Sequence, residues 1–136
     1  MQLLPTVLLV DDDQTARYLA ARLLRPYADR VRVLMAEDGH QALQLLPHYA
    51  TELVPTLVLL DLQMPVLDGF GFLHAQLGWP PARRAAVRVV IVSSSDMPAE
   101  EQRARELGVP MLSKPLTAAT LARVLHQQFG EAFQLA

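Results

Sequence analysis

Four apolar runs in this chain each end on polar side chains. Val7-Leu8-Leu9-Val10 ends at Asp11-Asp12-Asp13, and Leu57-Val58-Leu59-Leu60 ends at Asp61. Val87 to Val92, interrupted by Arg88, ends at Ser93, and a short stretch around Met111-Leu112 ends at Ser113-Lys114-Pro115. The set reads carboxylates, carboxylate, hydroxyl and amine. Adjacent parallel strands lie about 4.8 Å apart, so carboxylates at neighbouring strand ends can converge within one coordination sphere. Like charges that close repel unless protonated or bridged by a cation, and an oxygen-only donor set without His or Cys selects Mg2+. Carboxylate, hydroxyl and ammonium grouped in this way are the parts needed to take a phosphoryl group onto an aspartate. Lys114 is the single lysine beside eleven arginines. It marks a place for a compact ammonium where a forked guanidinium would be bulkier; the alternative is composition bias with one chance lysine.

Such a set needs strands that end together. The apolar runs have strand length and alternate with stretches whose apolar residues recur at helical spacing. Strands are expected at 6–10, 31–35, 57–60, 87–92 and 109–112. Helices are expected at 14–24, 39–46, about 69–77, 98–107, and in a last amphipathic segment that Thr117 caps and that carries Leu121, Val124, Leu125 and Phe129. The segment from Pro98, with Glu100 and Glu101 in its first turn and Gly108 after it, meets the rules for both helix ends. Strands of continuous Val, Leu and Ile are buried on both faces, which requires helices on both sides of a parallel sheet. Five βα units in 136 residues therefore make a small doubly wound α/β fold, in which ligands bind outside the carboxyl ends of the strands. Gly78 to Arg84, which contains Trp79-Pro80-Pro81, reads as a surface connection.

Composition excludes several classes. With 51% hydrophobic and 19% charged residues, the chain has apolar material for one core, and the expectation is a single domain over 1–136 with its core at about 6–130. A net charge of −2 gives no basic footprint for nucleic acid. The absence of cysteine excludes disulfides, zinc thiolate sites and thiol catalysis, and agrees with a reducing compartment. There is neither an apolar run of ~18 residues nor a signal-peptide pattern at Met1 to Pro5, so a soluble cytoplasmic protein without membrane contact is expected. His40, His48, His74 and His126 are scattered without metal spacing or a companion nucleophile.

Val10-Asp11-Asp12, the block Asp61-x-x-Met64-Pro65-x-x-Asp68-Gly69, Ser93, and Lys114-Pro115 occur in that order at successive strand ends. In this the chain resembles the receiver domain of two-component response regulators, of which the bacterial chemotaxis regulator is the minimal example. The resemblance covers roughly residues 6 to 130. It implies a flavodoxin-like (βα)5 fold with strand order 2-1-3-4-5, and a cis bond at Lys114-Pro115. It implies that Asp61 is the phosphoacceptor and that Asp11, Asp12, Asp61 and the Gln63 backbone carbonyl serve a Mg2+ ion, Asp11 through water. Ser93 would move toward the new phosphoryl oxygen, Lys114 would pair with it, and Gln63 and Ser95 would bear on the lifetime of the phosphoryl group. The implied donor is a sensor histidine kinase or a phosphotransfer protein. The implied output is a separate protein that reads the face of the fourth helix (98–107), fifth strand and fifth helix, with no output domain on the chain. The protein would not be an enzyme beyond its own phosphorylation and dephosphorylation.

Other residues have structural readings. Asp13 and Asp68 are expected to cap helices, with Gly69 in a turn, and Met64-Pro65 to aim Asp61. Arg17 is expected as a solvated charge on the first helix. Met111 stands three residues before Lys114, where receivers often carry Tyr, Phe or His, so repacking of a flexible side chain is expected in place of the aromatic readout. Asp11-Asp12-Asp13-Gln14-Thr15 also spells the nucleophile motif of haloacid-dehalogenase-like phosphatases, which would use Asp11 and Asp13. That reading lacks a suitable acid after Lys114 and a cap, and leaves the Asp61 block unexplained. A non-phosphorylated receiver-like binding module is a third reading, disfavoured because every chemical position is filled.

Overall fold

A computed structural model of the chain describes residues 4–49 and 55–130. β1 (Thr6–Val10), β2 (Arg32–Ala36), β3 (Thr56–Leu60), β4 (Val87–Ser93) and β5 (Met111–Ser113) form one parallel sheet in the order β2-β1-β3-β4-β5. This is the flavodoxin-like order, with β3 central. The helices are α1 (Gln14–Leu23), α2 (Gly39–Tyr49), α3 (Gly69–Gln76), α4 (Pro81–Ala86), α5 (Pro98–Glu106) and α6 (Ala118–Phe129).

Burial on both faces explains the unbroken apolar strands. Side chains alternate across a strand, so Leu8, Val10, Val58, Leu60 and Ile91 meet Ala42 and Leu46 of α2, Phe72 and Leu73 of α3 and Ala104 of α5 on one face. Val7, Leu9, Leu57, Leu59, Val90 and Val92 meet Leu24, Tyr27, and Leu121, Val124 and Leu125 of α6 on the other. Truncating one of the fully buried side chains, such as Phe72, to Ala removes ~3–5 kcal/mol through lost transfer energy and the cavity left behind.

Helix ends follow local chemistry. Asp13, Asp68 and Thr117 cap α1, α3 and α6 by accepting from the main-chain N–H of Thr15, Gly71 and Thr120. Gly108 follows α5 at φ 70, the left-handed conformation that ends a helix at little cost for glycine.

The structure corrects three expectations. Residues 81–84 of the expected surface connection belong to α4, begun by Pro81 after Pro80. Proline at a first helical position loses nothing by lacking an N–H, so the Pro-Pro pair starts a helix here. Arg83 stacks over Trp79 at 4.5 Å and closes this turn. α2 runs through Pro47 to Tyr49, past the expected stop at Leu46, because a proline in the last turn interferes with a single preceding carbonyl. β5 begins at Met111 and not at Val109, whose N–H instead closes the end of α5 by donating to the Ala104 carbonyl at 3.0 Å. Gly69 is the first residue of α3, where a helix from about 69 was expected; a Cβ there would stand 2.6 Å from the Asp61 carbonyl oxygen.

Candidate functional site

Three main-chain hydrogen bonds carry the sheet one step beyond its strands. Asp11 donates to the Ala36 carbonyl at 3.1 Å, Asp61 to the Val10 carbonyl at 2.9 Å, and Lys114 to the Ser93 carbonyl at 2.9 Å. Each backbone that bears a reactive side chain is thus pinned to the neighbouring strand, and the polar ends converge. Asp11, Asp12 and Asp61 each offer a carboxylate oxygen, and these lie within 4.8 Å of one another. The Lys114 ammonium is 2.7 Å from Asp11 Oδ2 and 3.6 Å from Asp61 Oδ1. The Lys114-Pro115 bond is cis.

Burial and charge set the protonation of the group. Asp61 is 8% exposed and Asp11 9%, while Asp12 faces solvent. Burial, then the Asp11 charge, push the Asp61 carboxyl from 3.8 up to about 6, with a smaller push from Asp12; the Lys114 charge and a hydrogen bond from the Leu62 backbone pull the other way. Burial pulls the Lys114 ammonium down, but the Asp11 hydrogen bond and the Asp61 and Asp11 charges outweigh it, and the net shift is upward. Lys114 is therefore a cation, and Asp61 is ionised above about pH 6.

The donors fit a hard divalent cation. Three carboxylates in a group containing neither His nor Cys are the oxygen set Mg2+ takes. Asp11 Oδ1 accepts from the Asp13 amide at 2.9 Å and Oδ2 from Lys114, so both its oxygens are engaged. Gln63 lies exposed in the loop after Asp61, and Ser93 is buried at the end of β4, its hydroxyl accepting from the Ser95 amide at 3.1 Å. The Ser95 hydroxyl donates to Glu100 of α5.

A model of the response regulator receiver domain family matches residues 7–126. The chain belongs to that family. This receiver is 34% identical over 125 residues to a probable chemotaxis protein CheY of Rhizobium etli, across 91% of this chain and 92% of that one. It is 39% identical over 102 residues to a protein-glutamate methylesterase/protein-glutamine glutaminase of Anaeromyxobacter dehalogenans, covering 75% of this chain and 27% of that longer protein. A two-component response regulator from Cytophaga hutchinsonii superposes with a TM-score of 0.79 at 26% identity, over 96% of this receiver and all of that chain, a coverage of 100%.

Asp11, Asp12, Asp61 and Lys114 thus meet as expected. Asp13, the second acid of the phosphatase reading, is spent on the α1 cap. Arg17 departs from its reading as a solvated charge: its side chain is 12% exposed, and Nη1 donates to the Asp11 carbonyl at 2.6 Å. An arginine on a helix that follows an acidic strand end was the available signal, because α1 folds back beside β1. The loop after Asp61 holds Val66 at φ 67 and 80% exposed, a left-handed conformation that is an outlier for a β-branched residue. Met111 is partly buried against the core of the α2, α3 and α5 face. A cavity of about 370 Å3 opens beside Asp11, Asp61 and Lys114, under α1 and the Pro115-Leu116 turn. No helix among the described residues is long and apolar enough to cross a membrane.

Proposed function

We propose that this receiver takes a phosphoryl group onto Asp61, with Mg2+, from a sensor histidine kinase or a phosphotransfer protein, and passes the signal to a separate protein by conformational change. The observation that carries the reading is one buried, ionisable aspartate within reach of both a second acidic group and a lysine ammonium.

One Asp61 carboxylate oxygen attacks phosphorus; the bond from phosphorus to the donor's imidazole nitrogen breaks, and that nitrogen keeps the electron pair. Asp61 is mostly ionised at neutral pH, which supplies the nucleophile. Lys114, held by Asp11, presents a fixed positive charge to the oxygens on which charge develops. The Ser93 hydroxyl, which accepts from the Ser95 amide, keeps its own hydrogen to donate and would turn it to a phosphoryl oxygen. Asp12 and Asp61 would hold Mg2+ directly, Asp11 through water and Gln63 through its carbonyl. The ion, when bound, supplies charge that offsets the carboxylates and the incoming phosphoryl group. Ser93 ends β4 and Lys114 follows β5, so their movement toward the new dianion would be delivered to α5, β5 and α6, the face we assign to output. Residues Gln63 and Ser95 flank the site and would tune the lifetime of the acyl phosphate.

The test is intact-mass analysis after incubation with acetyl phosphate. One phosphoryl addition is expected with Mg2+, and none with chelator or in Asp61→Asn; addition that survives in Asp61→Asn refutes the reading.

A further inference from the structure

Helix α1 meets the sheet through partly buried side chains, among them Ala20, Ala21 and Leu23. None of its residues is fully buried, and Leu19 is 52% exposed. Its Ala16, Leu19, Ala20 and Leu23 roof the cavity of about 370 Å3 that opens beside the carboxylates. A void supplies no partner atoms, so packing there does little to fix where the start of the helix stands. Polar contacts supply that constraint. Asp13 accepts from the Thr15 amide at 2.9 Å, and the guanidinium of Arg17, one turn into the helix, donates to the Asp11 main-chain carbonyl at 2.6 Å.

That carbonyl belongs to the peptide unit joining Asp11 to Asp12. A peptide unit is planar, so gripping its oxygen fixes the direction in which the chain leaves Asp11 and the place from which the Asp12 side chain projects. The Asp13 amide, bonded back to Asp11 Oδ1 at 2.9 Å, closes the same turn from the other side. Arg17 spans two sites: Nη1 holds the Asp11 carbonyl, while Nη2 lies 3.9 Å from Glu37 after β2. A lysine's single ammonium lacks the fixed direction of the planar guanidinium and does not reproduce the Nη1 grip on the carbonyl.

We propose that Arg17 is a positioning residue for the acidic pair: it sets the Asp11-Asp12 peptide plane, and with it the placement of both carboxylates relative to Asp61 and to a divalent cation. This inference rests on the reading of Asp11, Asp12 and Asp61 as the cation site. The simple alternative, one more positive charge beside an acidic cluster, predicts the opposite sign. Removing a nearby positive charge raises affinity for Mg2+, whereas loosening the support behind the ligands lowers it, typically by roughly tenfold or more.

The experiment is a titration with Mg2+ alone, followed by NMR through the Asp12, Asp61 and Leu62 amides, on the full chain and on Arg17→Ala, Arg17→Lys and Glu37→Gln. Affinity is expected to fall roughly tenfold in Arg17→Ala and Arg17→Lys and to stay unchanged in Glu37→Gln. Tighter binding in Arg17→Ala, or unchanged binding in Arg17→Lys, overturns the proposal. Amide exchange without cation gives a second readout. Both Arg17 variants should exchange the Asp13 amide faster while core amides such as Val58 keep their protection; an unchanged Asp13 rate also overturns the proposal. If the unsubstituted protein shows no response to Mg2+, the cation-site reading fails, and Asp13 exchange still decides the role of Arg17.

Discussion

Replacing Asp61 by Asn should stabilise the metal-free protein at neutral pH, although it removes the residue the chemistry needs. The Asp61 carboxyl titrates near 6 in the fold against 3.8 as a free side chain. Between those values the folded chain keeps a proton that the unfolded chain has released, so the Asp61 contribution to stability is fully present below pH 3.8 and is lost as pH rises through about 6. The interval corresponds to at most ~3 kcal/mol. Solvent screening at a site opening to water reduces the realised effect to ~1–2 kcal/mol. Asparagine keeps an oxygen to accept from the Leu62 backbone, and Lys114 keeps Asp11 at 2.7 Å, so little compensating loss is expected. Urea unfolding in chelator, from pH 4.5 to 8, should show the Asn variant more stable by ~1–2 kcal/mol at pH 7.5, with the gap closing toward pH 4.5. Added Mg2+ should stabilise the unsubstituted protein more than the variant and narrow the gap at pH 7.5. A variant less stable at pH 7.5 in chelator, or a gap independent of pH, refutes the electrostatic reasoning.

Three further outcomes follow from the geometry. Asp13→Ala removes the α1 cap and should lower stability by ~1 kcal/mol in the same urea assay, while leaving phosphorylation of Asp61 by acetyl phosphate in place, since Asp13 serves the helix and not the phosphoryl group. Gly69→Ala sets a methyl 2.6 Å from the Asp61 carbonyl oxygen and 2.8 Å from Leu62 Cα, so the start of α3 must shift; a loss of ~1–3 kcal/mol together with slower phosphorylation is expected, read by urea unfolding and intact mass. Beryllofluoride, which mimics the aspartyl phosphate, should move NMR resonances mainly at 94–107 and 109–121, with Met111 repacking as a flexible side chain and not flipping between two ring positions. Shifts confined to the cation site, or centred on α1 and α2, contradict the proposed output face.

The site was legible because strand ends are dictated by burial. Once Leu57–Leu60 and Val7–Val10 are read as two-sided strands, the residues that follow must emerge at one edge of the sheet, and Asp61, Asp11 and Asp12 do. Caps were legible for the same local reason: Asp13, Asp68 and Thr117 each serve an amide two or three residues on. What depends on how separate segments approach was not legible. The grip of Arg17 on the Asp11 carbonyl needs the angle at which α1 leaves the sheet, and the space under Ala16 and Leu19 arises from the same angle. An amphipathic pattern shows which face of a helix is apolar but not how closely it settles, and Leu19 of α1 is half exposed. Gly69 is needed because α3 begins against the end of β3, a closeness that no spacing in the sequence reports.

The central claim, that Asp61 and no other carboxylate takes the phosphoryl group, is tested most directly by chemical trapping. The protein is incubated with acetyl phosphate and Mg2+, reduced with borohydride, and mapped by peptide mass spectrometry. The account predicts reduction at Asp61, absent when phosphodonor is omitted. Reduction at Asp11, the carboxylate a phosphatase of the competing type would use, contradicts it.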